Sequence, residues 1–147
     1  MTITIGQALR NAIEAERAAA RFYDRLVAKA ADATTRHFFE EMAQQERDHA
    51  RAVEEMAGQI GNGELPTRPD TAVSTVETAP AWAEVDSLDL DQALELALES
   101  ENNAVLYYDA MADYCELGAK SFFERMVARE EEHARRLSEL IAERSAK

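Results

Sequence analysis

The sequence predicts an all-α fold: a four-helix bundle with one long crossover between its second and third helices. Three observations predict it. Apolar residues recur at steps of three and four through four long segments. All three prolines (Pro66, Pro69, Pro80) lie between the second and third of these segments. The second and fourth segments each carry one Glu-x-x-His unit, Glu46–His49 and Glu130–His133, 84 residues apart.

The first helix is expected over about 4–31, with an inward stripe of Ile5, Leu9, Ala12, Glu16, Ala19, Tyr23, Leu26 and Ala30. Asp32 and Thr34 then read as caps for a second helix over 33–60. Its stripe is Phe39, Met42, Glu46, His49, Val53, Met56 and Ile60, and Gly58, Gly61 and Gly63 are expected to end it. The prolines exclude helix from the crossover, about 61–88, which holds the single tryptophan, Trp82. Trp82 is read as packing on the outside of the bundle, with a partner surface as the alternative.

Asp89 followed by Gln92 resembles a capping box for a third helix over 89–116. Its stripe is Leu94, Ala97, Glu101, Ala104, Tyr108, Met111 and Cys115. Gly118 is expected to separate it from a fourth helix over 119–145, striped by Phe123, Met126, Glu130, His133, Leu137 and Leu140. The turns within each helix pair are short, so helices one and two are antiparallel, as are three and four. A crossover of this length can travel the whole bundle. Residues 1–147 are therefore read as one domain built from two helix pairs, about 4–60 and 89–145.

Composition narrows the function. A chain of 147 residues with 46% apolar content can bury a core. Its net charge of −13 argues against nucleic acid or an anionic membrane as partner. No apolar run approaches the roughly 20 residues of a membrane span, and the first residues lack a signal-peptide pattern. The single cysteine, Cys115, is read as a small core residue, and it leaves no Cys-x-x-Cys site. A reducing cytoplasm is the expected location.

Six polar residues occupy seam positions where Leu or Ala is expected: Glu16, Glu46, His49, Glu101, Glu130 and His133. A Glu and a His three apart share one helix face, close enough to grip one ion. Four buried carboxylates at one level would repel each other, and two divalent cations would cancel their charge. No basic residue on the seams offers that neutralisation. The levels agree across the halves: Ala12-Ile13-Glu14-Ala15-Glu16 aligns with Ala97-Leu98-Glu99-Ser100-Glu101, each followed seven residues later by Tyr23 or Tyr108. One Glu from each of two helices and one Glu-x-x-His from each of the others is the ligand set of carboxylate-bridged two-metal bundles. Glu14, Glu99, Glu131 and Glu132 fall off the seam and read as solvated. His37 lies beside it and reads as a surface residue. The alternative for the six is a metal-free bundle with a buried polar network.

These motifs resemble the rubrerythrin-type branch of the ferritin-like di-iron family. The likeness rests on Ala12-Ile13-x-x-Glu16 with Phe22-Tyr23, on Phe38-Phe39-x-x-Met42 with Glu46-x-x-His49, and on their second-half counterparts. It covers nearly all of the chain except the crossover. It implies a ferritin-like bundle with two iron ions, Glu46 and Glu130 bridging them, and Glu16 and Glu101 terminal. It gives Tyr23 and Tyr108 hydroxyls that bond to ligating carboxylates, although ordinary core aromatics fit equally. With one cysteine, the likeness is to a member lacking the rubredoxin domain. The family's extra carboxylate one turn from the third-helix Glu is also missing, since Leu98 and Ala104 stand there. That departs from the family's ligand movement between redox states.

Oxygen and imidazole ligands without thiolate suit iron or manganese, and zinc also binds such sets. The resemblance thus implies an oxidoreductase that reduces hydrogen peroxide or dioxygen, with electrons from a separate donor protein. A homodimer is expected on the same ground. The second reading is a ferroxidase or iron-binding protein of a ferritin-like or encapsulated assembly.

Overall fold

Side-chain caps start the second and third helices, and the second of them is reciprocal. The Thr35 amide donates to Asp32 Oδ1 at 2.8 Å and the Thr35 hydroxyl to Oδ2 at 2.9 Å. The Gln92 amide donates to Asp89 Oδ1 at 2.8 Å, and the Asp89 amide to Gln92 Oε1 at 3.0 Å. Each pair satisfies amides that a helix start leaves without partners. The computed structural model describes residues 5–60, 87–114 and 117–146. Its elements are α1 (Ile5–Val27), α2 (Ala33–Ile60), α3 (Leu90–Tyr114) and α4 (Leu117–Ser145). Every element among the described residues is a helix, and none is long and apolar enough to cross a membrane.

α2 spans the expected 33–60, while two boundaries and the role of one glycine differ from expectation. α1 stops at Val27 rather than near 31, because Lys29 and Ala30 donate to Leu26 and Val27 in tight i→i−3 turns. That tightening frees Asp32 to cap α2. Gly58 does not end α2, which runs on to Ile60; Gly58 is exposed, and nothing lies within 4 Å of where its Cβ would be. Gly118 lies inside the first turn of α4 rather than before it. The expectations for Gly61, Gly63, the prolines, Trp82 and Cys115 lie outside the described residues.

Contacts across the bundle fix its directions. α2 meets α4 through Glu41–Arg136, Gln45–His133 and His49–Glu130, with numbers rising on one helix as they fall on the other. α1 meets α3 through Tyr107 to the Ala8 carbonyl and Tyr23 to Glu101, again with opposite trends. Each therefore runs antiparallel to its facing helix. Since α1 is also antiparallel to α2, α2 and α3 run the same way. That is the ferritin-like order, in which the middle connection is the crossover.

The core is layered along the bundle. One apolar cluster holds Phe22, Tyr23, Leu26, Phe39, Met42, Leu94 and Leu137. The other holds Leu9, Ile13, Val53, Met111, Phe123 and Met126. On every helix the predicted polar residues fall between these two sets. The halves also mirror one another in aromatic packing. Tyr23 stacks on Phe39 with ring centroids 6.4 Å apart, and Tyr108 on Phe123 at 6.1 Å.

Candidate metal centre

The structure brings all six predicted residues into that middle layer, each no more than 4% exposed. Glu16 comes from α1, Glu46 and His49 from α2, Glu101 from α3, and Glu130 and His133 from α4. Helical spacing explains the convergence, since positions three apart share a face and each lies on its helix's apolar stripe.

The imidazoles point their Nδ1 atoms at the carboxylates. His49 Nδ1 lies 3.0 Å from Glu130 and 3.6 Å from Glu16. His133 Nδ1 lies 2.8 Å from Glu46, 3.6 Å from Glu101 and 3.9 Å from Glu130. The rings stack between α2 and α4, with centroids 5.1 Å apart and planes 17° from parallel. Ligand atoms of Glu46, His49, Glu130 and His133 all lie within 4.8 Å of one another. Those four could hold a metal, with Glu16 and Glu101 flanking them on opposite sides.

Two tyrosines complete the symmetry. Tyr23 of α1 donates to Glu101 at 2.8 Å, and Tyr108 of α3 donates to Glu16 at 2.7 Å. Each hydroxyl orients the carboxylate that the facing helix contributes. The choice left open by the sequence, between core aromatics and carboxylate partners, resolves to both at once: the rings pack in the core and the hydroxyls face the cluster.

A cation fits this donor set. Gln45 commits its Nε2 to Glu41, which Arg136 grips with two 3.1 Å bonds, so Gln45 Oε1 faces His133 Nε2 at 2.6 Å. An acceptor there places the ring proton on Nε2 and turns a lone pair on Nδ1 toward Glu46 Oε1. Two lone pairs in contact repel unless a proton or a metal lies between them. Among the described residues, no hydrogen bond of ordinary geometry reaches either Glu46 oxygen, the second oxygens of Glu16 and Glu101, or either Nδ1. Buried carboxylates in that condition are costly without a counter-ion.

The carboxylates do not ionise alike. Burial, with repulsion from Glu16, Glu101 and Glu130, pushes Glu46 well above the usual carboxylate range. Burial also opposes ionisation of Glu16, but the neighbouring Glu46 and His49 groups and the hydrogen bond from Tyr108 outweigh it and hold Glu16 at about 2. Burial again opposes ionisation of Glu101, and interactions with Glu130 and His133 outweigh it and lower its pKa. In metal-free protein Glu46 therefore resists ionisation, while Glu16 and Glu101 favour it.

Sequence reasoning missed the groups behind the cluster. Gln45, Glu41 and Arg136 support His133, yet they have no matching residues in the other half of the repeat, where Arg129, Arg125 and Ala52 stand. Comparing the halves drew attention to what they share. Tyr107 was missed too; its hydroxyl donates to the Ala8 carbonyl at 2.7 Å, and burial pushes its pKa up to about 12. At the surface Arg51 pairs with Asp48, and Arg135 with Glu132 and Glu139. A cleft of about 450 Å³ between α2 and α4 reaches both histidines, bordered by Gln45, Asp48, Arg129 and Glu132.

Known proteins bear on this arrangement. No curated protein sequence gives a significant match. Among solved structures, a hypothetical protein from Pyrococcus furiosus is similar, with TM-score 0.73 and 18% identity over 96% of this chain and 92% of that one. At that identity the likeness speaks for the fold. The model of the Rubrerythrin family matches residues 7–141, which span all four helices and all six buried polar residues, and the chain belongs to that family.

Proposed function

We propose that the chain is a non-haem di-iron oxidoreductase that reduces hydrogen peroxide or dioxygen with electrons from a separate donor protein. One observation carries the reading: the inward Nδ1 atoms of His49 and His133 face a buried carboxylate cluster in which, among the described residues, no hydrogen bond reaches either Glu46 oxygen or the second oxygens of Glu16 and Glu101. In this reading Glu16 and His49 would hold one ion and Glu101 and His133 the other, with Glu46 and Glu130 available to both. Two ferrous ions, when bound, supply the two electrons that take peroxide to water. Oxygen and imidazole donors without thiolate suit iron, and manganese shares that preference.

The chain's own residues do the remaining work. Tyr23 and Tyr108 hold the flanking carboxylates in place. Phe22, Phe39 and Phe123 are almost fully buried and keep water from the centre. The cleft at the histidine edges gives a small oxidant its approach.

Iron per chain, measured on protein purified without chelator, is the first test. About two iron ions per chain, and diferrous protein oxidised far faster by peroxide than by dioxygen in stopped flow, are expected. Equal rates would remove the peroxidase reading. Iron far beyond two per chain would favour ferroxidase or storage chemistry. No metal after anaerobic ferrous loading would end the di-iron reading.

A further inference from the structure

The two halves of the centre mirror each other in their ligating groups but not in what stands behind them. His133 Nε2 meets Gln45 Oε1 at 2.6 Å. Gln45 is itself held, because its Nε2 donates to Glu41 at 3.1 Å. Glu41 accepts two bonds from Arg136, whose guanidinium lies 5.0 Å from the Phe38 ring centroid. A braced chain thus runs from the α2–α4 surface to the outer edge of His133. At the repeat-related positions Gln45 becomes Arg129, Glu41 becomes Arg125 and Arg136 becomes Ala52. Arginine only donates, so it cannot accept a proton from an imidazole N–H. His49 lines the same cleft, and its carboxylate contacts all run through Nδ1; among the described residues no hydrogen bond to its outer nitrogen is found.

We propose that Gln45 is a positioning residue that makes the two metal positions unequal, so that the first divalent ion binds at the His133–Glu101 side. The inference rests on the two-metal reading above. Gln45 fixes the His133 proton on Nε2, leaving the Nδ1 lone pair aimed at the centre before any ion arrives. Among the described residues His49 has no such brace, so binding there must also select its tautomer. A partner on the outer nitrogen of a ligating histidine is worth roughly 10- to 100-fold in metal affinity. The difference lies in the protein, so it holds for any divalent ion that accepts imidazole.

The test is anaerobic titration of the full chain with cobalt(II), followed by d–d absorption and calorimetry. Wild-type protein is expected to bind two ions in steps at least about tenfold apart. Gln45→Leu, similar in size but unable to accept, is expected to weaken the first step by roughly 10- to 100-fold and leave the second within about twofold. Gln45→Glu keeps an acceptor oxygen and is expected to retain the separated steps. Zinc-loaded protein with 15N-labelled histidine gives an independent readout. One slowly exchanging imidazole N–H signal is expected in the wild type and in Gln45→Glu, and none in Gln45→Leu.

Equal affinities in the wild type would overturn the proposal. So would a Gln45→Leu variant that binds like the wild type, or one that loses both steps equally, as a general structural defect would give. In those cases two ions still bind, so the di-metal reading stands while the inequality falls. Wild-type protein that binds no cobalt would remove both.

Discussion

Tyr23 on α1 donates its hydroxyl to Glu101 on α3 across 2.8 Å, and the mirror-related Tyr108 on α3 donates to Glu16 on α1 across 2.7 Å. The two bonds cross-link the halves of the bundle at the level of the cluster. Each also removes one lone pair from a buried carboxylate. Tyr23→Phe keeps the ring that stacks on Phe39 and deletes only the donor. It should destabilise the metal-free protein by about 1.5–3 kcal/mol, the range for a hydrogen bond to a charged group, and should lower metal affinity about tenfold. Tyr107→Phe is the control. Its hydroxyl serves the Ala8 carbonyl, so it should cost about 1 kcal/mol and leave metal affinity unchanged. Urea unfolding with metal titration separates the two; equal metal loss in both variants would remove the special role of Tyr23.

Asp32 caps the start of α2. Its carboxylate accepts from the amide and hydroxyl of Thr35, far along α2 from Glu46. Asp32→Ala should cost about 0.5–2 kcal/mol with two metals still bound per chain. Thermal melts with elemental analysis check this. Metal loss at that small a cost would mean that the α1–α2 turn sets the geometry of the centre.

The bundle and its polar layer were legible because burial imposes a helical period that charges should not share. Glu16, Glu46, His49, Glu101, Glu130 and His133 stood out as exceptions to that period. Helix ends were less legible. Ala28, Lys29, Ala30 and Ala31 all favour helix, yet α1 stops at Val27 because the turn and the Asp32 cap decide the end. Gly58 reads as a terminator, but α2 continues past it to Ile60. Gln45 was hidden for another reason: what it does depends on where α4 places His133, 88 residues away.

Glu46→Gln should have opposite effects in the two states of the protein. Without metal, burial and the neighbouring Glu16, Glu101 and Glu130 disfavour the charged form of Glu46. A neutral amide of the same shape removes that penalty and should stabilise metal-free protein by on the order of 1–3 kcal/mol. With metal, the same change removes a ligand, so metal content and holo stability should both fall. Denaturation with and without chelator checks the sign in each state. A gain in both states would point to a bundle that never carries metal.

Stability of the metal-free protein should peak in the weakly acidic range. Glu46 has its folded pKa raised above the ordinary 4.5, so its contribution favours folding at low pH and is lost as pH rises above 4.5 toward that raised value. Glu16 is depressed from 4.5 to about 2, so its contribution is present above 4.5 and disappears as pH falls from there toward 2. Glu101 is shifted in the same direction as Glu16. Thermal melts of chelated protein between pH 4 and 8 should therefore show a falling limb toward neutrality. The net charge of −13 also weakens the fold as pH rises, so the slope alone does not identify Glu46. Glu46→Gln does, because it removes only that group and should flatten the limb. Bound metal should flatten it as well, since a cation replaces the proton that Glu46 otherwise needs. An unchanged limb in Glu46→Gln would assign the pH dependence to general charge repulsion.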